Sequence, residues 1–442
     1  MSPARALKIG CGAGFAGDRI DAAAILAERV DLDYLVLEVL GERTVALAQL
    51  RKLENPRLGY DAMLARRMEA LLPVLARKGT RLVTNMGAAN PLAAAEAVVD
   101  VARGLGLKIE VAAVLGDDVL DRLDRAAPTL ETDKRLGDVG EIVSANAYIG
   151  AEALLPALKS GAEVIVAGRV ADPSLFTAPM IAAFGWRLDD WAALGRGTAI
   201  GHLLECAGQL TGGYFAEPGL KDVPDMANLG FPYATVGADG NAEFATPPGT
   251  GGRITVMTAK EQMYYEVSDP GAYLTPDVTA DFSAVTIRET APGRVSVAGA
   301  TGRARPETLK VTVGYRGGFI GEGEISYAGP GAASRGRLAG EIVRKRLEGA
   351  VDELRVELIG VDAAHRRFYG NLPEPYEVRL RAAGRARTRD AASRVGEEVE
   401  ALYTNGPAAG GGVRQSTREV IGVVSALIPR ADVRCETRYF RS

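Results

Sequence analysis

The sequence predicts an α/β fold in which an N-terminal, mainly parallel sheet with flanking helices is followed by a C-terminal α+β domain. Two observations predict it. From residue 5 to about residue 185, short apolar runs alternate with longer Ala- and Leu-rich segments, and the runs hold Val, Ile or Leu nearly throughout, as strands covered on both faces do. From about residue 220, Pro and Gly become more frequent and apolar residues alternate with polar ones, which is typical of half-buried strands.

Six apolar runs in the first half of the chain have the length of buried strands. In order they are "ALKIGC", "DYLVLEV", "TRLVTN", "KIEVAAVLG", "EIVSANAY" and "AEVIVAG". The segments between them carry helix signals: Asn90 is placed to cap a helix that begins at Pro91, and "DRIDAAAILAERV" has apolar residues at helical spacing. This alternation predicts a parallel sheet, either doubly wound and open, which is our first expectation, or closed into a (β/α) barrel.

The second half of the chain predicts strands and a few long helices. The runs "RITVMT", "AVTIRET" and "TLKVTVGYRGGFIGEGEISYAG" have the pattern of strands, and helices are expected in "RGRLAGEIVRKRLEGAVDEL" and "TRDAASRVGEEVEALYTNGP". With 442 residues the chain is too long for one ordinary core. We therefore expect an α/β domain over residues 1–220 and an α+β domain over residues 221–442.

Composition and charge restrict the class of protein. The formal net charge of −4 leaves no basic surplus, so nucleic acid is not expected as a partner. No apolar run approaches the ~18 residues of a membrane span. The three cysteines are far apart and lack the C-x-x-C spacing, which favours a reducing compartment. These observations predict a cytoplasmic protein with a small-molecule substrate and no membrane partner, and base rates for soluble proteins predict a homo-oligomer.

The glycine-rich opening "GCGAGFAGDR" has the form of a dinucleotide-binding fingerprint. Gly12 and Gly14 follow the first predicted strand, and Glu38 lies where a ribose-binding acid would fall. This pattern raises the possibility of a nicotinamide cofactor, NAD(P). Against it, Asp18 and a second carboxylate three residues later would repel a pyrophosphate at the helix start. The alternatives are a tight turn capped by Asp18 and a loop in which Asp18 and Arg19 contact a polar substrate.

Polar side chains follow the predicted strands at the points where they end. They are Cys11, Glu38, Asn85, Asp117, Asn146, Arg169 and Asp172. Because sites in α/β proteins lie at the carboxyl ends of parallel strands, we expect these side chains to line one pocket. The alternative is turn chemistry, since Asn and Asp are among the residues that turns require.

The stretch "GHLLECAGQLTGGYF" concentrates reactive side chains. In a helix, His202 shares a face with Glu205 and lies beside Cys206. His202 could move a proton while Glu205 fixes its tautomer, and Cys206 could act as a nucleophile if its thiolate were favoured. Gly212 and Gly213 would turn the chain and bring Tyr214 back to the same pocket. The alternative is a helix-face His satisfied by Glu205, with Cys206 packed as a small apolar residue.

A metal site is a further hypothesis for these residues. His202 and Glu205 could supply two ligands, and Asp18 and Asp172 could bind the ion with them. Because the chain has only two histidines, a site with three His ligands is excluded, and a carboxylate-rich site for Mg²⁺ or Mn²⁺ remains. The cofactor is otherwise unknown from the sequence.

Several stretches together carry a family resemblance: "KIGCGAGFAGDRIDAA", "DYLVLEVLGERT", "TNMGAANP", "NAYIGAEALLPAL", "VIVAGRVADPSL", "FGWRLDDWAAL", "GTAIGHLLECAGQLTGGYF" and "LYTNGPAAGGG". They cover nearly the whole chain and resemble the acyclic terpene utilisation protein A family. The resemblance implies breakdown of terpenes such as citronellol and geraniol, in pathways that run on coenzyme A thioesters of branched acids.

With the resemblance, we expect an enzyme that acts on a branched carboxylic acid or its coenzyme A thioester, by carbon–carbon lyase or hydro-lyase chemistry. His202 would be the base, Arg169 would hold a carboxylate, and two amides would donate to developing oxyanions. The amides are those of Asn85 and Asn146. Other expected substrate contacts are Gly12, Gly14, Arg19, Glu38, Gly212 and Gly213. The alternatives are an NAD(P)-dependent oxidoreductase and a non-catalytic binding subunit of an acyl-CoA carboxylase system.

Overall fold

The computed structural model describes residues 6–365 and 373–442. Its strands are β1 Leu7–Ala13, β2 Tyr34–Leu37, β3 Arg81–Thr84, β4 Glu110–Leu115, β5 Ile142–Ala147, β6 Val164–Ala167, β7 Tyr233–Val236, β8 Ala242–Ala245, β9 Tyr273–Leu274, β10 Thr279–Asp281, β11 Thr286–Ala291, β12 Arg294–Ala298, β13 Thr301–Arg303, β14 Thr308–Ala328, β15 Glu353–Ile359, β16 Glu377–Ala386, β17 Gly411–Pro429 and β18 Glu436–Arg441. Its helices are α1 Ile20–Arg29, α2 Glu42–Glu54, α3 Leu64–Lys78, α4 Pro91–Gly104, α5 Leu155–Ser160, α6 Ser174–Phe184, α7 Trp191–Glu205, α8 Val256–Tyr264, α9 Ala332–Arg346, α10 Arg389–Glu400 and α11 Leu402–Asn405.

The centre of the larger sheet is parallel. Its neighbouring strands run in the order β1-β2-β3-β6-β4, and each adjacent pair is parallel. The apolar runs fold this way because both faces are covered: every residue of β2 and of β6 is buried. Asn90 accepts a hydrogen bond from the backbone N–H of Ala93 and caps α4, whose first residue is Pro91. The α/β fold class is confirmed.

The order of the strands reverses after β4. The chain passes from β1 to β2 to β3, places β4 further out, and then returns to insert β6 between β3 and β4. Because crossovers between parallel strands are right-handed, the return places α5 on the opposite face from α1, α3 and α4. These three helices form one group of contacts, and α5, α6 and α7 form another. Helices therefore cover both faces, as in a doubly wound sheet.

Antiparallel strands extend the parallel centre on both sides, so the sheet is mixed rather than mainly parallel. On one side β7, β8, β12 and β11 follow β1, and on the other side β18 pairs with β4. The ten-stranded order runs from β11 at one edge to β18 at the other. This order is that of an open sheet, and the alternative of a (β/α) barrel has no support in it.

Two predicted strands behave differently from expectation. The run "EIVSANAY" forms β5, but this strand pairs with β14 and not with the parallel strands. The run "RITVMT" contains the start of α8. Thr255 and Thr258 each accept a hydrogen bond from the backbone N–H of the other, at 3.1 and 2.8 Å, and this capping box begins the helix. The β-branched residues here therefore mark a helix start, because a local hydrogen-bond pair outweighs their β preference.

The later part of the chain repeats a strand–helix–strand unit. The order is β14-α9-β15 and then β16-α10-β17, and the sheet order is β15-β16-β14-β17. This is the βαββαβ arrangement of ferredoxin-like folds. Its helices pack through Ala339, Val343, Val395 and Val399 against one face of the sheet. The other face has ion pairs such as Arg381 with Glu322, at 2.6 Å, which are worth little individually.

The contacts divide the chain into two compact units. One extends up to Gly314 and includes Val423–Ser442, and the other is Tyr315–Gly422. The domain boundary predicted near residue 220 lies inside the first unit, and as a statement about independently folding domains it stays a prediction. Over residues 6–365 and 373–442, none of the helices combines the length and the apolar character needed to cross a bilayer.

Candidate active site

A cavity of about 650 Å³ opens at the carboxyl ends of β1 and β2. Gly14 and Phe15, which follow β1, line it, and so do Glu38, which follows β2, and Glu205 and Cys206 at the end of α7. Its volume lies within the usual range for small-molecule sites. A larger surface groove of about 800 Å³ between β15 and β16 is lined by paired charges such as Arg385 and Glu353, so it lacks buried reactive groups.

Strained backbone surrounds this cavity. Tyr214 and Glu266 line it with φ values of +62° and +58°, which residues other than glycine rarely adopt. Ala207 and Asp225 have φ values of +44° and +45° and adjoin the lining residues Cys206 and Met226. Such conformations cost energy and tend to occur where function requires them. Their grouping here is a second reason to place the site in this cavity.

The glycine-rich loop is folded against α7 rather than open to a pyrophosphate. A Cβ atom on Gly14 would lie 2.5 Å from the carbonyl carbon of Cys206, so only glycine allows this approach. The Gly14 N–H donates to Asp18 Oδ2 at 2.6 Å and is not free for a phosphate. Gly12 faces Leu37 and Ala23 inside the core and does not line the cavity. These contacts weaken the dinucleotide reading.

Glu38 presents a carboxyl group with one oxygen held and the other free. Its Oε1 accepts hydrogen bonds from Asn85 Nδ2 at 2.7 Å and from the Leu40 N–H at 2.9 Å. Its Oε2 has no hydrogen bond among the described residues. Burial, and next the charge of Asp172, raise the pKa of Glu38 well above its usual value. Asn85 also accepts from the Val39 N–H, so this amide fixes Glu38 and does not face a substrate itself.

Glu205 repeats this arrangement on the opposite element. Its Oε1 lies 2.9 Å from His202 Nδ1, and its Oε2 is buried without a partner. Burial, and next the charges of Asp172 and Glu266, raise the pKa of Glu205 well above its usual value. Glu38 and Glu205 therefore keep a proton at pH values where an exposed glutamate is ionised. Both side chains line the cavity.

The structure places His202 behind Glu205 and away from the cavity. Its side chain is fully buried, with ring centroids 5.2 Å from Tyr273 and 5.9 Å from Phe282. Its Nε2 has no hydrogen-bond partner, and burial lowers the pKa of His202 to about 4, so the imidazole is neutral at physiological pH. The expectation that His202 meets the substrate directly therefore has no support in this geometry; Glu205 occupies that place.

Cys206 lines the cavity but is poorly suited to act as a nucleophile. Burial, and next the charge of Glu205, raise the pKa of the Cys206 thiol far above its usual value. A nucleophilic cysteine requires the opposite, a thiolate favoured by a nearby cation. The thiol is therefore neutral, as in the alternative reading of this residue as a small packing group.

Arg169 is engaged by the protein itself. Its fully buried guanidinium donates to the Leu40 and Val170 carbonyls and pairs with Asp172. Burial alone would lower the pKa of Arg169, but the charges of Asp172 and of the neighbouring acidic groups together outweigh it and raise the pKa. Arg169 does not line the cavity, whereas Asp172 does, with a side chain 36% exposed. The expected bidentate contact of Arg169 with a substrate carboxylate is therefore replaced by an internal ion pair.

Asn146 also serves the protein interior. Its Nδ2 donates to Asp117 Oδ2 at 2.9 Å, and that carboxylate accepts from the Arg169 N–H at 2.8 Å. Neither Asn146 nor Asp117 lines the cavity. Asn146, which was predicted as an oxyanion donor, thus stabilises the buried ends of β5 and β6 instead.

Glu42, which the sequence did not single out, adds an ionised carboxylate to the cavity wall. Tyr148 donates a hydrogen bond to its Oε1 at 2.6 Å, and Lys310 Nζ lies 3.1 Å from the same atom. Burial alone would raise the pKa of Glu42, but the Tyr148 hydrogen bond and the charge of Lys310 lower it to about 2. The cavity therefore holds carboxyl groups in both protonation states, which is how acid and base roles are separated in enzymes.

Apolar and glycine residues form the mouth of the cavity. Tyr214 is 89% exposed there and Phe15 and Met226 are also exposed. Gly213 lines the cavity, whereas Gly212, with φ +113°, faces Val223 in the turn. Arg19 lines the rim. The apolar surface at the mouth can contact the hydrocarbon chain of a ligand.

The metal hypothesis finds no geometric support. Asp18 and Asp172 both line the cavity. Within the part of the chain that the structure describes, however, no group of three or more His, Cys, Asp or Glu side chains is arranged to hold a metal ion.

Comparison with known proteins supports the family resemblance. The family described as acyclic terpene utilisation family protein AtuA matches residues 7–439. No curated protein and no solved structure matches the chain. The match extends over the elements that form the cavity, from Gly14 to Glu266.

Proposed function

Since the chain belongs to the acyclic terpene utilisation AtuA family, we propose that it is an enzyme of terpenoid breakdown that acts on branched acyl compounds by lyase chemistry. The observation that carries the proposal is the pair Glu38 and Glu205. Each carboxyl group is buried at the cavity, is held at one oxygen and has a second oxygen without a partner. Two such groups can donate and accept protons without any other catalytic side chain.

A hydro-lyase reaction on a 3-hydroxyacyl compound needs a base and an acid, and this pair could supply both. One carboxylate removes the proton from the carbon beside the carbonyl. The other carboxylic acid gives its proton to the hydroxyl on the next carbon, which leaves as water while the electron pair forms the double bond. Burial raises the pKa of both groups, so the acid keeps its proton at pH values where an exposed glutamate is ionised, and the base is the partner once it has released its own proton.

A carbon–carbon lyase reaction would use the same groups in another order. One carboxylate would take the hydroxyl proton, the bond between the second and third carbons would break, and the acid would protonate the enolate carbon that leaves. Loss of water is the better supported of the two, because each free carboxyl oxygen can carry the proton that a leaving hydroxyl requires.

The other hypotheses have less support. An NAD(P)-dependent oxidoreductase would need the glycine loop for the pyrophosphate, but the Gly14 N–H is bonded to Asp18 and the loop is closed against Cys206. A non-catalytic subunit of a carboxylase system would not need two carboxyl groups poised for proton transfer in one cavity.

The proposal is tested by incubating the purified chain alone with branched 3-hydroxyacyl thioesters and following the products by mass spectrometry. We expect an unsaturated product lighter by one water. Two shorter products would identify a carbon–carbon lyase instead. Turnover that appears only with added NAD(P), or only with a carboxylase present, would replace the proposal by the corresponding alternative.

A further inference from the structure

The cavity is rich in carboxyl groups and poor in available cations. The acidic side chains that line it are Asp18, Glu38, Glu42, Asp172, Glu205 and Glu266. Among the described lining residues, Arg19 is the basic one, and its Nε donates to Asp21 Oδ1 at 3.0 Å. A ligand that brought a negative charge into this space would therefore meet like charges and no unpaired cation among the lining residues.

The cations behind the wall are also unavailable. Arg169 is buried in its contacts with Leu40, Val170 and Asp172. Lys310 is held by Glu42. Arg67 is fully buried; its Nη2 donates to the Ala16 and Asp18 carbonyl oxygens, and its Nε and Nη1 have no hydrogen-bond partner among the described residues. All three cations lie outside the lining of the cavity. A carboxylate placed in the cavity would have to lose water without gaining an ion pair, which is costly.

Uncharged oxygen atoms, in contrast, fit the groups that are present. Glu205 is 7% exposed and its Oε2 has no partner, and Glu38 is equally buried with Oε2 unbonded. A protonated carboxyl oxygen donates a hydrogen bond to a carbonyl or hydroxyl oxygen. Phe15, Tyr214 and Met226 at the mouth offer apolar surface to the rest of such a molecule.

We propose that this cavity selects substrates whose head group is uncharged, a thioester, ester or alcohol, over the free carboxylate of the same carbon skeleton. The identity of the site rests on the proposed function, but the selection concerns binding and needs no turnover. Like-charge contact at a desolvated site predicts a preference on the order of a hundredfold.

The test is isothermal titration of the full chain with probes that share one acyclic monoterpenoid skeleton. The probes are the alcohol, the methyl ester, the N-acetylcysteamine thioester and the free acid. At about pH 8, we expect the free acid to bind on the order of a hundredfold more weakly than the best neutral probe. The ranking of alcohol against ester and thioester then identifies the head group.

Lowering the pH shows whether the free acid binds weakly because of its charge or because of its shape. If only the protonated acid enters, its affinity should rise about tenfold for each pH unit on the way down to its own pKa, and the neutral probes should change less. Glu266→Gln, which removes one charge from the exposed rim, should strengthen binding of the acid relative to the alcohol. Glu69→Gln, at an exposed site on α3 away from the cavity, is the matched control.

Equal affinity for acid and neutral probes, or no binding by any probe, would overturn the inference. Selection without turnover of any 3-hydroxyacyl thioester would leave the inference standing and remove the proposed reaction. Turnover without selection would leave the proposed reaction standing and remove the inference.

Discussion

Glu205 holds His202 through a 2.9 Å contact between its Oε1 and the imidazole Nδ1, and it is the carboxyl group, not the imidazole, that lines the cavity. The imidazole is enclosed by Tyr273 and Phe282. In the proposed reaction the expected roles of the two residues are therefore exchanged: Glu205 transfers a proton, and His202 positions it.

Replacing either buried carboxyl group by an amide should abolish most turnover. Glu205→Gln and Glu38→Gln keep the size of the side chain but cannot move a proton. We expect kcat to fall about a hundredfold to ten-thousandfold for each, as for other general acids and bases. Steady-state kinetics with a 3-hydroxyacyl thioester measures this, and the exposed Glu69→Gln is the control. Near-normal kcat in both cavity variants would remove the pair from the mechanism.

His202 should act through its Nδ1 and not through a charge. His202→Asn retains a side-chain N–H near that position, whereas His202→Leu has similar bulk and no polar atom. We expect the Asn variant to keep kcat within about tenfold and the Leu variant to lose about a hundredfold, with a shifted pH profile and a smaller change in KM. His202→Ala should cost about 3 kcal/mol of stability through the cavity it leaves. Equal kcat for Asn and Leu would limit His202 to packing.

The protonated carboxyl groups should make the fold less stable at high pH. Above the ordinary glutamate pKa, unfolded Glu38 and Glu205 release their protons while the folded groups, whose pKa values are raised, retain them. The contribution of these groups to stability is therefore full below the ordinary glutamate pKa. It is lost as the pH rises through the pKa of the folded groups, by about 1.4 kcal/mol for each unit by which the two pKa values differ. Urea unfolding between about pH 5 and pH 9 tests this. The Gln variants should lose less stability with rising pH than the parent chain; parallel curves would show that the carboxyl groups are ionised when folded.

His202 should have the opposite effect at low pH. Its pKa is about 4 in the folded chain, below that of an exposed histidine, so the unfolded state takes up the proton first as the pH falls. Stability should therefore decrease between about pH 6.5 and pH 4, by about 3 kcal/mol from this residue. His202→Leu should lack this part of the acid sensitivity in thermal unfolding. The same acid sensitivity in both proteins would contradict the assignment of a neutral buried imidazole.

The contact of the glycine loop with α7 should not tolerate a methyl group. Gly14→Ala would place a Cβ 2.5 Å from the Cys206 backbone, and backbone cannot move aside as a flexible side chain can. We expect a loss of about 1–3 kcal/mol and weakened ligand binding. Gly104→Ala at the end of α4, where a Cβ meets nothing within 4 Å, is the matched control and should be neutral or stabilising. Thermal unfolding of both variants provides the comparison.

The parallel strands were predictable because their burial leaves a direct mark on the sequence. The runs at β1, β2, β3, β4 and β6 are apolar nearly throughout, and all five strands are parallel neighbours. β5 has the same pattern, with every residue buried, but pairs with β14. Apolar content reports burial, not the choice of neighbour, so the sheet to which β5 belongs and the antiparallel edge strands could not be read from it.

The sequence predicted where the site lies better than it predicted what each residue does there. Glu38 and Asp172 were expected at strand ends, and Glu205 and Cys206 on a helix beside them; all four line the cavity. Asn85, Asn146 and Arg169 are close in sequence to such ends, but their hydrogen bonds turn them inward, and sequence does not record side-chain direction. Glu42 was missed because an acidic residue in the first turn of a helix is ordinary. Glu266 was missed because nothing in the sequence signals its positive φ of 58°.

Arg169 ties the segment after β2, at Leu40, to the exit of β6, at Val170 and Asp172. This side of the cavity is consequently stiff. The facing segments, around Ala207, Tyr214 and Glu266, are held in uncommon conformations. A molecule that enters the cavity should therefore meet a rigid wall on this side and strained loop segments on the other.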